Sequence, residues 1–307
     1  MSPTPELLEI VRTAMAGERP KLLPLHEPLL LRNEDRSLID YHDTATTNQM
    51  RHELRAQNEA MAGADFGNVL PFPARLRRIF NGDFAHGGRF YAEGGAWQTL
   101  SKTERRALRI DGEPVVEIDY ATFHPALAYA ERGLPPPEAP YEVAGFSRDL
   151  VKVAFNILLN SSGRPGARHT IAWKPAMATH LLDVTPHRNE LPSAFLRRVY
   201  QSDPSYPHRA SRCAEELIEK LLARHAPIAD LFFSGLGLRL QRLDSDIAEG
   251  VMRRMRRHGV VVFPIHDSFL APASKADLIE EAMVAEAARH GMALSCSRSP
   301  FVSDDYA

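Results

Sequence analysis

A charged pair interrupts an apolar stretch near the end of the chain. In the segment VVVFPIHDSFLAP, His266 and Asp267 stand between two strand-like halves, VVVFPI and SFLAP. A hairpin would place the pair at its tip, where two ionisable groups are not buried among apolar side chains. Pro264 cannot donate a hydrogen bond to a sheet, so the first half is predicted to be an edge strand or a bulged strand.

A second carboxylate ends another predicted strand. In EPVVEIDY, the apolar residues Val116 and Ile118 alternate with acidic residues, the last of which is Asp119. Asp119 and Asp267 are far apart in sequence, but two strand ends can converge on one edge of a sheet. Mg²⁺ takes oxygen ligands from a few carboxylates and from substrate phosphates. Two such ions, about 3.5–4 Å apart, stabilise the attacking and leaving oxygens of a phosphoryl transfer.

The segment SRDLVK supplies two cations at helical spacing. Arg148 and Lys152 are four residues apart and share one helix face, which Asn156 extends. A basic pair at this spacing is suited to hold a triphosphate, and Lys152 is also placed to protonate a leaving pyrophosphate. With the two carboxylates, this pair predicts phosphoryl-transfer chemistry.

Each of these features has a plainer explanation when it is taken singly. His266 and Asp267 are ordinary turn residues, and Asp119 is suited to cap the helix that follows its strand. Arg148 and Lys152 are typical of a solvated helix face. The interpretation therefore depends on the combination rather than on any one motif.

Composition limits the classes of protein that fit. The chain has 307 residues, enough for one large domain or two small ones, with 44% hydrophobic and 25% charged residues. A net charge of −2 gives no global basic field, although a local basic face remains open. Two cysteines are too few for a disulfide framework or a structural zinc site. The sequence has no signal-peptide core and no apolar run of the ~20 residues that span a membrane, so we expect a cytoplasmic protein.

The order of predicted elements indicates a mixed fold. Helical periodicity marks the first 70 residues, in ELLEIVRTAM and NQMRHELRAQNEAMA, and a loop-rich middle follows, NGDFAHGGRFYAEGGAWQ. Further helices are predicted in TFHPALAYAER, SRDLVKVAFNILLN, DSDIAEGVMRRMRRHG and KADLIEEAMVAEAARHG. One strand, several helices, a strand pair and a final helix predict an α+β or α/β protein.

At the candidate site residues the chain resembles family A (Pol I-type) DNA polymerases and phage- and mitochondrial-type single-subunit RNA polymerases. Asp119 in EIDYATFHP resembles their first carboxylate motif, usually Asp-Tyr-Ser, with Ala121 in place of the Ser. RDLVK is similar to the Arg-x-x-x-Lys motif of the fingers helix. IHDSF resembles the second carboxylate motif in its RNA polymerase form, since the DNA polymerases usually have Glu where Ser268 stands.

Two further segments resemble the same superfamily. DFAHGGRFYA is similar to the Asp-x-x-Gly-Arg element of the RNA polymerases, with extra residues before Gly88 and Arg89. LQRLDSDIAEGVM, which includes Gln241 and Asp246, resembles the segment before the second carboxylate motif. The segments stand in the superfamily's order, in islands between residues 78 and 290.

The chain also departs from the superfamily pattern. The Tyr-Gly pair that normally follows the fingers motif is replaced by Asn160 and Ser161, so stacking of that Tyr in the nucleotide site is lost. His124 stands where the DNA polymerases carry Glu and the RNA polymerases carry Gly. The chain is shorter than either family and has no room for a proofreading nuclease or a promoter-binding domain.

The resemblance implies an α+β fold of the right-hand polymerase type. We expect a palm, made of a small antiparallel sheet with helices, in residues 71–135 and 236–307. Helical fingers are expected in 136–235, and a reduced, thumb-like helical region in 1–70.

The resemblance also implies roles for individual residues. Asp119 and Asp267 would bind two Mg²⁺ ions, with Mn²⁺ as an alternative. The incoming nucleoside triphosphate would contact a group of side chains near the first carboxylate and along the fingers helix: Arg148, Lys152, Tyr120, His124, Asn156 and Asn160. For the nucleic acid, His266 would touch the primer end, Arg89 the primer or template backbone, and Gln241 the minor groove near the new pair. Catalysis would rest on Asp119, Asp267 and Lys152.

Clusters of arginine predict a basic track for nucleic acid. ARLRRIF, RRALR, GRPGARH and RRMRRH could neutralise phosphates, although a solvated face is the alternative for each. Phe90, Tyr91 and Trp97 lie beside Arg89 and could stack bases. Core packing is expected for at least two of these three rings.

The sequence thus favours a template-directed nucleotidyltransferase, namely a minimal DNA polymerase in DNA replication that extends a primer–template with nucleoside triphosphates and has no membrane partner. An RNA polymerase or primase of the same superfamily is an alternative. Two other classes stay open: a metal-dependent phosphodiesterase or nuclease using the same carboxylates, and an inactive polymerase-derived nucleic-acid-binding module. The sequence indicates neither a template type nor an oligomeric state.

Overall fold

The structure, a computed structural model, describes residues 27–66, 74–94, 96–188 and 190–299. Within them the fold is mixed α+β, with two small sheets and a large helical part. The predicted helix ELLEIVRTAM lies outside the described residues. No helix of the described ranges is long and apolar enough to cross a membrane.

The first sheet has the strand order β2-β1-β3-β4. Its strands are β1 (Leu29–Arg32), β2 (Leu38–Ile39), β3 (Leu76–Asn81) and β4 (Asp83–Ala92). β1 runs parallel to β3, and the other pairs are antiparallel. Helix α1 (Ala45–Ala62) lies between β2 and β3 in sequence, as its periodicity predicts.

Two expectations for this region were wrong. The first 70 residues contain strands β1 and β2 as well as helix α1, because LLLR pairs with a strand distant in sequence. The glycine-rich middle is not mainly loop, since β4 is a ten-residue strand. Gly88, with φ of +80°, lies against the ring of Phe80, and a Cβ there would stand 2.6 Å from that ring. The glycine thus permits a close approach at the irregular register of β3 and β4.

The second sheet carries the two predicted carboxylates. Its order is β5-β6-β8-β7, with β9 also paired to β6, and all pairs are antiparallel. The strands are β5 (Arg109–Ile110), β6 (Glu113–Tyr120), β7 (Phe263–Ile265), β8 (Ser268–Pro272) and β9 (Cys296–Arg298). The predicted hairpin is confirmed, with His266 and Asp267 as its turn, and Pro264 lies in edge strand β7.

Helices cover the second sheet and form the remainder of the fold. The short helices α2 (Ala96–Thr99) and α3 (Lys102–Arg106) precede β5. After β6 follow α4 (Phe123–Ala130), α5 (Arg148–Asn160), α6 (Arg164–Ala172), α7 (Pro175–Leu182), α8 (Pro192–Ser202), α9 (Tyr206–Arg224) and α10 (Gly237–Arg257). Helix α11 (Ala276–Arg289) follows β8. The helices predicted in TFHPALAYAER, SRDLVKVAFNILLN and KADLIEEAMVAEAARHG are confirmed, and α10 begins earlier than its segment predicts.

Arg78 joins the first sheet to helix α10. Its fully buried guanidinium donates to the Gly88 carbonyl at 2.8 Å and to Ser245 Oγ at 2.9 Å. It also pairs with Asp246, at 2.8 Å, and with Glu249. The expectation that Arg78 belongs to a basic nucleic-acid track was therefore wrong, because the side chain holds strand β3 to the helix.

Other predicted basic clusters are also used within the protein. Their ion pairs are Arg77–Glu93, Arg105–Glu117, Arg164–Glu215, Arg254–Glu286 and Arg256–Glu53. A cation paired to a carboxylate has less free charge to offer a phosphate, so the basic track is weaker than the sequence indicates.

We expect Arg78→Met to lower the free energy of unfolding by about 3–5 kcal/mol, because it leaves two carboxylates without their buried partner. Urea denaturation at neutral pH measures the change. Arg77→Met is the matched control: it lies next in the same strand, its pair with Glu93 is more exposed, and the expected loss is about 0–1 kcal/mol. Equal losses for the two variants would contradict a structural role for Arg78.

Candidate active site

The two predicted carboxylates lie on neighbouring strands. Asp119 is opposite Ser268 in the register of β6 and β8, so Asp267 lies one residue beyond that pair. The Tyr120 N–H faces the Asp267 carbonyl at 3.5 Å. The antiparallel pairing therefore brings together two residues that are far apart in sequence.

The carboxyl group of Asp119 is in an electrostatically unfavourable place. Its Oδ1 atom is buried and has no hydrogen-bond partner. Burial, and then the charge of Asp267, raise the pKa of Asp119 to about 6, while Lys152 and Lys102 act in the opposite direction. A buried oxygen without a donor, next to a second carboxylate, is a site that a cation would stabilise.

Helix α5 presents one of its two predicted cations, Lys152, to this carboxyl group. The helix buries an apolar stripe that includes Leu150, Ala154 and Phe155, and this orientation leaves Arg148 and Lys152 exposed. Lys152 lowers the pKa of Asp119, and thus lies within electrostatic range of it. The fold thus places Lys152 near the first strand-end carboxylate, and the predicted meeting of Arg148 with the two carboxylates stays a prediction.

The two asparagines of α5 differ in their surroundings. Asn156 is half-buried, and its Oδ1 has no hydrogen-bond partner. Asn160 lies about 12 Å further along the helix axis than Lys152. Its Nδ2 donates to the Asn156 carbonyl at 2.7 Å, and a Cβ on Gly237 would stand 1.7 Å from its Oδ1. Asn160 therefore serves the contact of α5 with α10, and its predicted place among the nucleotide-binding residues stays a prediction.

Tyr120 also lies away from the cluster. Successive residues of a strand point to opposite faces, so Tyr120 faces away from Asp119. Its hydroxyl donates to the Met283 carbonyl at 2.7 Å, and its ring stacks on Phe123 with centroids 4.8 Å apart. The predicted substrate contact of the Tyr120 side chain is therefore wrong, because strand alternation places the ring in the core.

Two histidines face the carboxylates. Burial lowers the pKa of His124, as do Arg89 and Lys152, while Asp267 raises it. Burial and Arg89 likewise lower the pKa of His266, against Asp267. Both imidazoles are therefore neutral at pH 7. His266, at the hairpin turn, has φ of 56°.

Arg89 reaches the cluster through a carboxylate that the sequence reasoning did not select. Its Nε donates to Asp244 Oδ2 at 2.9 Å. Burial raises the pKa of Asp244 to about 6, with Asp267 adding to the rise and Arg89 opposing it. Asp244 is thus a buried third carboxylate within electrostatic range of Asp267.

Helical periodicity would have distinguished Asp244 from its neighbour Asp246. Asp244 lies on the buried stripe of α10 with Leu240, Ile247 and Val251, whereas Asp246 lies off it and pairs with Arg78. Gln241 is half-buried, one turn before Asp244. Among the described residues no hydrogen bond joins Gln241 to the cluster, and its predicted role stays a prediction.

Three aromatic residues around Arg89 divide as expected. Phe90 and Trp97 are buried in the core, which confirms that at least two of the three rings pack there. Tyr91 is 39% exposed, and its ring meets that of His266 edge-on with centroids 6.5 Å apart. Tyr91 is thus the aromatic of this group that remains accessible beside the cluster.

The carboxylate oxygens at this site fit Mg²⁺ bound in the way that needs few protein ligands. Within the described residues no three His, Cys, Asp or Glu side chains form a closed metal-binding group. Asp119 and Asp267 supply carboxylate oxygens, one of them buried and unpartnered. Mg²⁺ is commonly held by one or two carboxylates, waters and substrate phosphates. Lys152 of α5 lies within electrostatic range of the same carboxylates.

Comparisons with known proteins include a distant structural likeness. No family model matches the sequence, and no curated protein matches it. Among solved structures the chain is similar to the POL domain of Pol1 from M. smegmatis, which was determined in complex with DNA primer-template and dNTP. The TM-score is 0.36 at 12% identity, over 83% of this chain and 51% of that one, so this chain spans about half the length of its neighbour.

Proposed function

We propose that the protein is a template-directed nucleotidyltransferase, most simply a minimal DNA polymerase that extends a primer. The observation that carries the proposal is the unpartnered, buried oxygen of Asp119, which lies beside Asp267 and within range of Lys152. In this proposal the sheet with β6 and β8 is the palm, and α5–α9 belong to the fingers.

Asp119 and Asp267 would hold Mg²⁺, as two ions, with Mn²⁺ as a substitute. When bound there, Mg²⁺ supplies positive charge to the attacking and leaving oxygens of the transfer. The repulsion between the two carboxylates, which raises the pKa of Asp119, would be relieved by that charge.

The residues of α5 would act on the triphosphate. The primer 3′-hydroxyl gives up its proton to water and forms a bond to the α-phosphorus, and the bond from that phosphorus to the bridging oxygen of pyrophosphate breaks. Arg148 and Lys152 neutralise the phosphate charge, and Lys152 donates a proton to the departing pyrophosphate. Arg89, held by Asp244, would contact the primer or template backbone, and His266 the primer end.

The cations of α5 favour transfer over hydrolysis. A nuclease or phosphodiesterase needs the carboxylates, but it does not need Arg148 and Lys152 on the facing helix. A binding module without activity does not need a buried carboxylate whose pKa is raised by a second one.

Primer extension tests the proposal. The protein is incubated with Mg²⁺, a labelled primer–template and either deoxy- or ribonucleoside triphosphates, and the products are separated by length. Template-dependent longer products support the proposal. Shortened primers would support the nuclease, and an unchanged primer that the protein nevertheless binds would support the inactive module.

His124 is predicted to select the sugar. It is half-buried and faces Lys152 and Asp267, so its ring occupies space beside the proposed nucleotide site. An imidazole there would clash with a 2′-hydroxyl, and we expect wild type to prefer deoxynucleotides. His124→Ala should raise the relative use of ribonucleotides by about 10- to 200-fold.

Competition between the two nucleotide types measures this selectivity. His266→Ala is the matched control, because it removes an imidazole near Asp267 on the side proposed for the primer end. A wild type that prefers ribonucleotides, or an unchanged ratio in His124→Ala, would reject the steric gate and favour an RNA polymerase or primase.

A further inference from the structure

A pocket of about 360 Å³ opens at the first turn of helix α5. Its wall is the loop before the helix, from Glu138 to Val143, together with Phe146 and Arg148. Thr122, three residues after Asp119, lines the other side. The pocket therefore lies between the end of strand β6 and the start of the cationic helix.

Tyr141 is fixed in this wall. Arg148 lies over its ring, with the guanidinium carbon 5.5 Å from the ring centroid, and Phe155 meets it edge-on at 5.8 Å. The neighbouring Pro140 carbonyl accepts from His225 Nε2 at 3.0 Å. Burial lowers the pKa of His225 to about 4, so that imidazole stays neutral, and its Nδ1 accepts from the Tyr129 hydroxyl at 3.1 Å.

The contacts that fix Tyr141 involve its ring and not its hydroxyl group. The residue is 3% exposed, and no hydrogen bond within the described part of the chain includes its hydroxyl. That oxygen is not one of the enclosed unpartnered atoms of the described residues, so it opens onto the pocket. Burial and the charge of Asp267 raise the pKa of the Tyr141 hydroxyl, and Arg148 lowers it. The hydroxyl is therefore within electrostatic range of both residues, and it stays protonated and able to donate.

Positive charge at the start of α5 acts near this hydroxyl, against the carboxylates of Glu138 and Glu142 in the pocket wall and of Asp149 in the first turn of the helix. Ser147 makes no side-chain cap to α5, and the first N–H groups of a helix have no partner within it. The positive end of the helix dipole and the Arg148 guanidinium add to the attraction. A phosphate chain lying between Arg148 and Asp267 would be near the Tyr141 hydroxyl, on whose pKa both residues act.

We propose that the Tyr141 hydroxyl donates a hydrogen bond to a phosphate oxygen of the incoming nucleoside triphosphate, in the space between Arg148 and Asp267. The identity of the ligand rests on the proposed function. Tyr141 and the α5 cations would have different roles. The Tyr141 hydroxyl orients the phosphate, because the loop and the Phe155 contact fix its ring. Arg148 and Lys152 neutralise the phosphate charge.

The test uses Tyr141→Phe, which removes the hydroxyl and keeps the ring beneath Arg148. A hydrogen bond to a charged group predicts about a tenfold or greater rise in the KM for nucleoside triphosphate. The affinity for primer–template should not change. Tyr206→Phe is the matched control, since it removes a buried hydroxyl that donates to the Ala172 carbonyl, away from the pocket.

A second measurement separates this proposal from the proposed function. Calorimetric titration of the protein with a nucleoside triphosphate and Mg²⁺, without primer–template, gives a dissociation constant that needs no catalysis. If Tyr141→Phe binds about tenfold more weakly than wild type and neither incorporates nucleotide, the hydroxyl contact stands and the polymerase assignment fails. If wild type incorporates nucleotide but Tyr141→Phe matches it in KM and dissociation constant, the polymerase stands and the contact is overturned. Equal weakening by Tyr206→Phe would also overturn it.

Discussion

Asp119→Asn and Asp267→Asn are each expected to lower nucleotide incorporation by at least about a thousandfold while the protein stays folded. Each substitution keeps the shape of the side chain and removes a negative charge that would hold Mg²⁺. Several kcal/mol of transition-state stabilisation depend on that charge, and about 1.4 kcal/mol corresponds to a factor of ten in rate.

The same substitution at Asp119 should not destabilise the protein in the absence of Mg²⁺. In wild type one oxygen of the carboxylate has no partner, and burial, followed by the charge of Asp267, raises the pKa of Asp119 to about 6. Removing this charge relieves the cost of burying it and its repulsion from Asp267. We therefore expect a gain of about 1 kcal/mol in the free energy of unfolding at pH 8. Loss of activity together with gain of stability would identify Asp119 as a residue retained for function.

Thermal unfolding with and without Mg²⁺ gives a readout that is independent of catalysis. Wild type should be stabilised by added Mg²⁺, because a ligand that binds only the folded state raises its stability, and Asp119→Asn should not be. Asp40→Asn, at an exposed carboxylate beyond strand β2, is the control and should behave as wild type. Near-normal extension by either Asp119→Asn or Asp267→Asn would reject the two-metal assignment.

Local patterns predicted the elements that carry the site. The alternation in EPVVEIDY, the spacing of Arg148 and Lys152, and the turn at His266 and Asp267 are properties of short segments. Each is therefore visible without knowledge of the rest of the fold. The meeting of the two strand ends followed from one further step, because antiparallel neighbours place such ends side by side.

Errors arose where burial or a distant partner decides. Tyr120 was assigned to substrate because of the motif, although strand alternation places it opposite Asp119. Arg78 was assigned to nucleic acid because nothing in ARLRRIF reveals that Asp246 and Glu249, far along the chain, surround it. Sequence patterns do not select Tyr141, because a loop residue has no periodicity that indicates where its side chain points.

Lys152→Ala is expected to lower the rate of incorporation by about 100- to 1,000-fold, with little change in affinity for the primer–template. Lys152 lies within electrostatic range of Asp119 and is exposed on the polar face of α5. There it would meet charge that develops on the leaving pyrophosphate. An interaction that forms mainly in the transition state appears in kcat rather than in ground-state binding.

Lys102→Ala is a demanding control for this prediction. Lys102 also lowers the pKa of Asp119, but it projects from helix α3 rather than from α5. If Lys152 acted only through a general positive field at the carboxylate, the incorporation rates of the two variants would fall by similar factors. A much larger loss in Lys152→Ala assigns a specific role to the ammonium group facing the triphosphate.

The proton transfer itself is tested with triphosphate analogues whose leaving groups differ in basicity. A general acid matters most when the leaving group is most basic, so the rate of Lys152→Ala should fall more steeply with leaving-group pKa than that of wild type. Lys152→Arg keeps the positive charge but donates a proton poorly, because a guanidinium is a far weaker acid, and it should share the steeper dependence. If the rates of wild type and both variants depend equally on leaving-group pKa, Lys152 contributes only its positive charge and no proton. Equal losses of duplex affinity and rate would make it a backbone contact.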